Sequence, residues 1–224
     1  MSRLRGFVRG NSLSLAFLAI FLAALAGQAV AGWHLYNQDQ HEQGEPGVSL
    51  ARVLTSSRFA AETTENWQSE FLQFTLYIAA TIWLIQRGSS ESKTPGTEGA
   101  GSDEDEHLGA HATDRSPAWA RAGGLRTAVY SNSLVVVFGA LFLASWGAQS
   151  ITGWRDFNEE QVAHHEGPVS WARYLTEPDF WDRTLQNWQS EFLAVGSMAI
   201  FAVYLRQRGS PESKPVGAPH DATG

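Results

Sequence analysis

The seven residues Asn66-Trp67-Gln68-Ser69-Glu70-Phe71-Leu72 occur a second time as Asn187-Trp188-Gln189-Ser190-Glu191-Phe192-Leu193. Two amides and a carboxylate at this spacing can bind a cation or carry a proton. On a helix Asn66 and Glu70 share one stripe, as do Asn187 and Glu191, because residues four apart are neighbours. Ionisable groups at membrane depth are costly and often functional. Asn66, Gln68 and Glu70, with Asn187, Gln189 and Glu191, are therefore the candidate ligand- or ion-binding residues. The competing reading is an interfacial belt, since tryptophan gathers at headgroup level. The first stripe continues inward as Gln73 and Tyr77, whereas the second turns apolar at Ala194 and Met198, which favours the belt.

Gln28 and Gln149 form a second matched pair, set among Ala24 and Gly32 in one case and Ser145 and Gly153 in the other. Small residues four apart let membrane helices approach closely, and a buried amide can bond across the contact. Two amides lining a permeation path are the alternative. Histidines offer less: His34 aligns with Arg155 and His41 with Val162, so no duplicated metal site is expected. The chain has no cysteine, which removes thiolate chemistry and disulfides. Neither a nucleophile elbow nor a phosphate-cradling loop nor a dinucleotide fingerprint is present. No catalytic residue, metal or cofactor is assigned, and the chain reads as a non-enzyme.

These motifs sit inside a gapless internal repeat. Residues 11–93 recur 121 positions later at 132–214, with Asn11 at Asn132, Trp33 at Trp154 and Lys93 at Lys214. A unit of this length is too long for a solenoid repeat, and its hydropathy is that of a membrane hairpin. Residues 12–33 and 133–154 carry no charge, nor do 71–86 and 192–205. A bilayer crossing needs roughly 20 apolar residues, with about 17 as the lower end. The first and third stretches meet this, and the second and fourth do so with Trp67 and Trp188 at the interface or a slightly thinned bilayer. The sequence therefore predicts an all-α membrane protein with four transmembrane helices in two tandem, parallel-repeat hairpins with amphipathic outer segments. The spans fall at about 12–33, 69–86, 133–154 and 190–206. The first hairpin is 1–93, an acidic disordered linker 94–120, the second hairpin 121–214 and a disordered tail 215–224. Thr176 reads as a cap for a helix running to Leu205.

Arg3, Arg5 and Arg9 before an apolar run ending Ala29-Val30-Ala31 fit a cleavable secretory signal. The uncleaved internal copy at 132–154 favours a retained helix. Eleven of the 16 Lys and Arg residues lie in 1–11, 87–131 and 206–224, and the other five, such as Arg58 and Arg183, lie in the hairpin loops. The positive-inside rule puts both termini and the linker in the cytoplasm. Parallel repeats imply a pseudo-two-fold axis along the membrane normal. The net charge of −7 comes without a basic patch, which argues against nucleic acid as a partner. The expected partners are the lipid bilayer and a protein, either a different one or a second copy.

Asn-Ser-Leu opens each unit, Gly-Trp closes its first helix and Asn-Trp-Gln-Ser-Glu-Phe-Leu leads into its second. In this combination the chain resembles a family of duplicated bacterial integral membrane proteins defined as a domain of unknown function. The resemblance implies a bacterial cytoplasmic (inner) membrane protein and no activity. The expected role is a membrane scaffold or interaction protein, with a small transporter or channel using Glu70 and Glu191 as the alternative.

Overall fold

The computed structural model describes residues 2–42 and 44–224. Among them all regular structure is helical, and the repeat of the sequence is a repeat of elements. α1 (Ser2–Gly10) leads into α2 (Ser12–Glu42), short α3 (Leu50–Leu54) and α4 (Ser57–Trp83). After α5 (Ala118–Ala122), α6 (Gly124–Ser131) leads into α7 (Ser133–Ala163), α8 (Trp171–Tyr174) and α9 (Pro178–Tyr204). α2 and α7 both have 31 residues, and α4 and α9 both have 27.

The repeated motifs prove to be joints. Asn11 Nδ2 donates to Phe7 O at 2.8 Å, and Asn132 Nδ2 donates to Ala128 O at 2.8 Å, each binding the short helix to the long one. Trp33 Nε1 donates to Val48 O at 2.7 Å, and Asn37, one turn later, bonds both backbone polar groups of Val48. Trp154, Asn158 and Val169 repeat the clamp. It fixes the angle at which the chain turns back from the first long helix.

Ser49 caps α3, Ser170 caps α8 and Ser56 caps α4, each accepting from a backbone N–H three residues on. α9 starts differently from the expectation for Thr176. Its N-cap is Glu177, with Pro178 at the first turn and Asp179 beside it, while Thr176 Oγ1 donates back to Arg173 O. Proline supplies the helical φ there, so no side-chain cap is needed.

Among the described residues two helices, not four, are long and apolar enough to cross a bilayer: α2 and α7, with mean hydropathies of 2.2 and 1.8 over their best windows. α4 and α9 end at Trp83 and Tyr204, because Leu84 and Leu205 take extended backbone. The uncharged parts left inside these helices, 71–83 and 192–204, are shorter than a crossing requires.

The two hairpins are joined mainly by α4 against α7, with a smaller contact between α4 and α9. The burial pattern there is inverted relative to a water-soluble core. The buried residues of α7 are Ser145, Gln149, Ser150, Gly153 and Asp156, while Leu134, Val136 and Leu143 point outward. A two-fold relation would also pair α9 with α2, and those helices make no comparable contact. The packing of the two copies is one-sided.

Candidate functional site

The identical heptapeptides are used in opposite ways. On α4, Gln68 and Ser69 are fully enclosed, and Gln68 Oε1 accepts from Trp188 Nε1 of α9 at 2.8 Å. On α9, Gln189 and Ser190 are exposed. Leu72 is 8% exposed and its counterpart Leu193 68%. Asn66 Nδ2 donates to Glu62 O at 2.9 Å, and Asn187 Nδ2 donates to Arg183 O at 3.0 Å, so both amides are spent on their own helices. Glu70 is exposed, and it is the charged neighbour of half-buried Glu191 across the α4–α9 contact.

Gln28 and Gln149 also part company. Gln149 is buried and its Nε2 donates to Thr184 Oγ1 of α9 at 3.4 Å. Thr184 in turn donates to Phe180 O. Gln149 Oε1 and Gln68 Nε2 are both enclosed without a partner. A buried polar atom left unpaired costs about 1–3 kcal/mol. Gln28 is half-buried and lines a cavity of about 690 Å³ between α2 and α4. The two amides thus face different surroundings and line no common path.

That cavity draws together part of the expected set. α4 supplies Thr63, Asn66, Trp67 and Glu70, and α2 supplies Phe21, Leu25 and Gln28. In the second hairpin Trp146 stacks on Phe142 at 5.6 Å and on Phe180 at 6.1 Å, with Trp181 and Trp188 at 6.5 Å. Aromatic pairs at such separations attract beyond simple burial.

A second polar cluster, at the hairpin-loop ends of the helices, was not singled out by sequence reading. Arg183 bonds Asp179 and Asp156 at 3.2 Å each and lies 4.0 Å from Glu65. Tyr174 Oη donates to Asp179 at 3.0 Å. One guanidinium thus serves three carboxylates from α4, α7 and α9. Burial opposes the charge on Arg183, but Asp179, Asp156 and Glu65 outweigh it and hold its pKa above the ordinary value. Glu65 Oε2 has no hydrogen-bond partner, so burial wins over Arg183 there and pushes that carboxyl up to about 7. Burial likewise raises Asp156, to about 6. The available signal was asymmetry: Asp156 aligns with Leu35 and Tyr174 with Val53.

A family defined as a domain of unknown function (DUF6766) matches residues 4–224. The chain belongs to this family. No curated protein and no solved structure matches it. Membership in DUF6766 assigns no chemistry, so the arrangement itself has to say what the molecule can do. It holds a buried amide junction, an aromatic cavity with one carboxylate, and a charge cluster with a carboxyl raised to about 7.

Proposed function

We propose that this chain is a non-enzymatic integral protein of the bacterial cytoplasmic membrane that works by assembly. In this reading it is a scaffold built from copies of itself, with four transmembrane helices and both termini in the cytoplasm. The outward-facing apolar surfaces of α2 and α7 support a lipid setting, as does the polar interior between α4 and α7. α7 lies far from the N-terminus and little of it is buried, so neither a signal peptide nor a soluble core helix accounts for it. α4 and α9 then cross with Trp67 and Trp188 at headgroup level, which completes their short apolar stretches.

The observation that carries assembly is the unmatched face. α4 packs on α7 inside the chain, while the corresponding faces of α9 and α2 are open. Their residues have changed together. Thr64 and Thr152, 3.5 Å apart across the α4–α7 contact, correspond to apolar Leu185 and Ala31. Thr75 reaches over Gly139, and the corresponding pair, Gly196 and Leu18, reverses large and small. The first pair stays matched in polarity and the second keeps one larger residue opposite a glycine, as two surfaces that meet require. α9 of one copy would dock on α2 of the next, a head-to-tail contact that builds rings or open rows.

With no native cysteine, the test is direct. Leu185→Cys and Ala31→Cys, made in separate chains and mixed in membranes, should form an intermolecular disulfide. Thr64→Cys with Thr152→Cys should crosslink only within one chain. Monomer alone from the mixed pair, with the intrachain control working, would sink the assembly reading. Labelling of a cysteine in 94–120 by an impermeant maleimide from outside the cell would overturn the topology.

A further inference from the structure

The two hairpins provide an internal control for the cavity between α2 and α4. Nine residues line it, and only two of them change in the second hairpin: Ala24 becomes Ser145, and Leu25 becomes Trp146. In the second hairpin the indole of Trp146 occupies the space between the two long helices, nearly parallel to Phe142 at an interplanar angle of 15°. In the first hairpin Leu25 is too small to do this. Phe21 and Trp67 face each other at 6.3 Å with no ring stacked between α2 and α4. The molecule itself therefore shows what fits the walls: a flat aromatic ring system.

The polar groups at the same cavity select charge. Thr63 has committed its O–H to Phe59 O, and Asn66 one of its two N–H groups to Glu62 O, so the Thr63 and Asn66 side-chain oxygens are left as acceptors. Glu70 adds a carboxylate, and among the described residues no basic side chain pairs with it. Aromatic walls and an unpaired carboxylate are both attractive to a cation, through ring quadrupoles and through charge. The volume, about 690 Å³, is within the usual range for small-molecule sites.

We propose that the α2–α4 cavity binds a planar aromatic cation, its ring taking the place that Trp146 takes in the second hairpin and its charge meeting Glu70. This goes beyond assembly, since a chain that never meets a second copy would still carry the cavity.

The experiment uses the full chain in phospholipid nanodiscs, titrated with ethidium and, in parallel, with phenanthridine as an uncharged ring of related shape. The expected result is saturable ethidium binding at one site per chain. Leu25→Trp installs the residue the second hairpin already tolerates and should abolish binding of both probes. Glu70→Gln keeps the shape and should weaken ethidium by roughly tenfold while leaving phenanthridine unchanged. Circular dichroism checks that both variants keep wild-type helicity. Only non-saturable partitioning by the wild type, or full binding by a folded Leu25→Trp, would overturn the site. Unchanged ethidium affinity in Glu70→Gln would overturn the role given to charge.

Discussion

Glu65 and Glu70 stand five residues apart on one helix and have opposite surroundings. Glu70 is exposed, while Glu65 is packed beneath Arg183 with one oxygen unpaired. With its carboxyl raised to about 7, Glu65 takes up a proton on folding at pH values between the ordinary carboxylate range and 7. In that window the folded state binds more protons than the unfolded state, so stability falls as pH rises and levels off above 7. The full effect is at most about 3 kcal/mol at 1.36 kcal/mol per unit. Glu65→Gln should flatten the slope between about pH 5 and 7, leaving the part that Asp156 contributes below about 6. The variant should also be more stable than wild type at pH 8. Thermal unfolding in detergent against pH reads this, and an unaltered slope would refute it. None of this was legible in the sequence, where Glu65 is one acid among several on a helix. Its distinction comes from burial against other helices, which outweighs the pull of Arg183.

At the scale of elements, the repeat and the two long helices were legible, but the expected helix end at Gly-Trp was not met. α2 runs on to Glu42 and α7 to Ala163, and Trp33 and Trp154 clamp the returning chain from within the helices. Equal spacing made the copies look equivalent, and local sequence does not encode which face of a helix meets which neighbour. The difference appears at Gly153 and Gly32. A Cβ on Gly153 would lie 2.6 Å from Tyr174 Oη, whereas a Cβ on Gly32 would meet nothing within 4 Å. The cause is Tyr174, which stands where the first hairpin has Val53 and is enclosed between α7 and α9. Gly153→Ala must displace Tyr174 and its bond to Asp179, so it should cost about 1–3 kcal/mol. Gly32→Ala should be neutral or slightly stabilising, since alanine is the better helix former. Equal losses in the two variants, measured by thermal unfolding, would contradict the one-sided packing. The expectation of four apolar spans failed for a related reason. Hydropathy counted residues up to 86 and 206, but the backbone leaves the helix at Leu84 and Leu205.

Across the whole molecule, the hairpins are tied at both ends. The loop after each hairpin has the same fold: Gln86 N donates to Ser92 Oγ at 3.0 Å, and Gln207 N to Ser213 Oγ at 2.9 Å. The C-terminal segment then folds back, and the Lys214 ammonium donates to Gly88 O of the first hairpin's loop. It also donates to His220 O at 3.0 Å and Ala222 O at 2.9 Å. Gly88 takes a left-handed φ of 85°, and a Cβ there would run into the carbonyl of His220. Lys214→Met should release the tail, and hydrogen exchange should speed up together in residues 86–94 and 218–224. Faster exchange in the tail alone would mean that the loop does not depend on it.

The tie between α4 and α7 also sets a schedule. Thr64 and Thr152, which face each other in the finished protein, are 88 residues apart in the chain. At about 5–20 residues per second of synthesis, the first hairpin waits roughly 4–18 s for its partner helix to be made. Throughout that interval Gln68 and Ser69 lack the neighbours that enclose them, and Trp188, the partner of Gln68, is later still at 120 residues on. A hairpin left waiting is open to an α7 from another nascent chain on the same message. The speed of the ribosome through the linker therefore helps to decide whether the two halves pair with each other or with strangers.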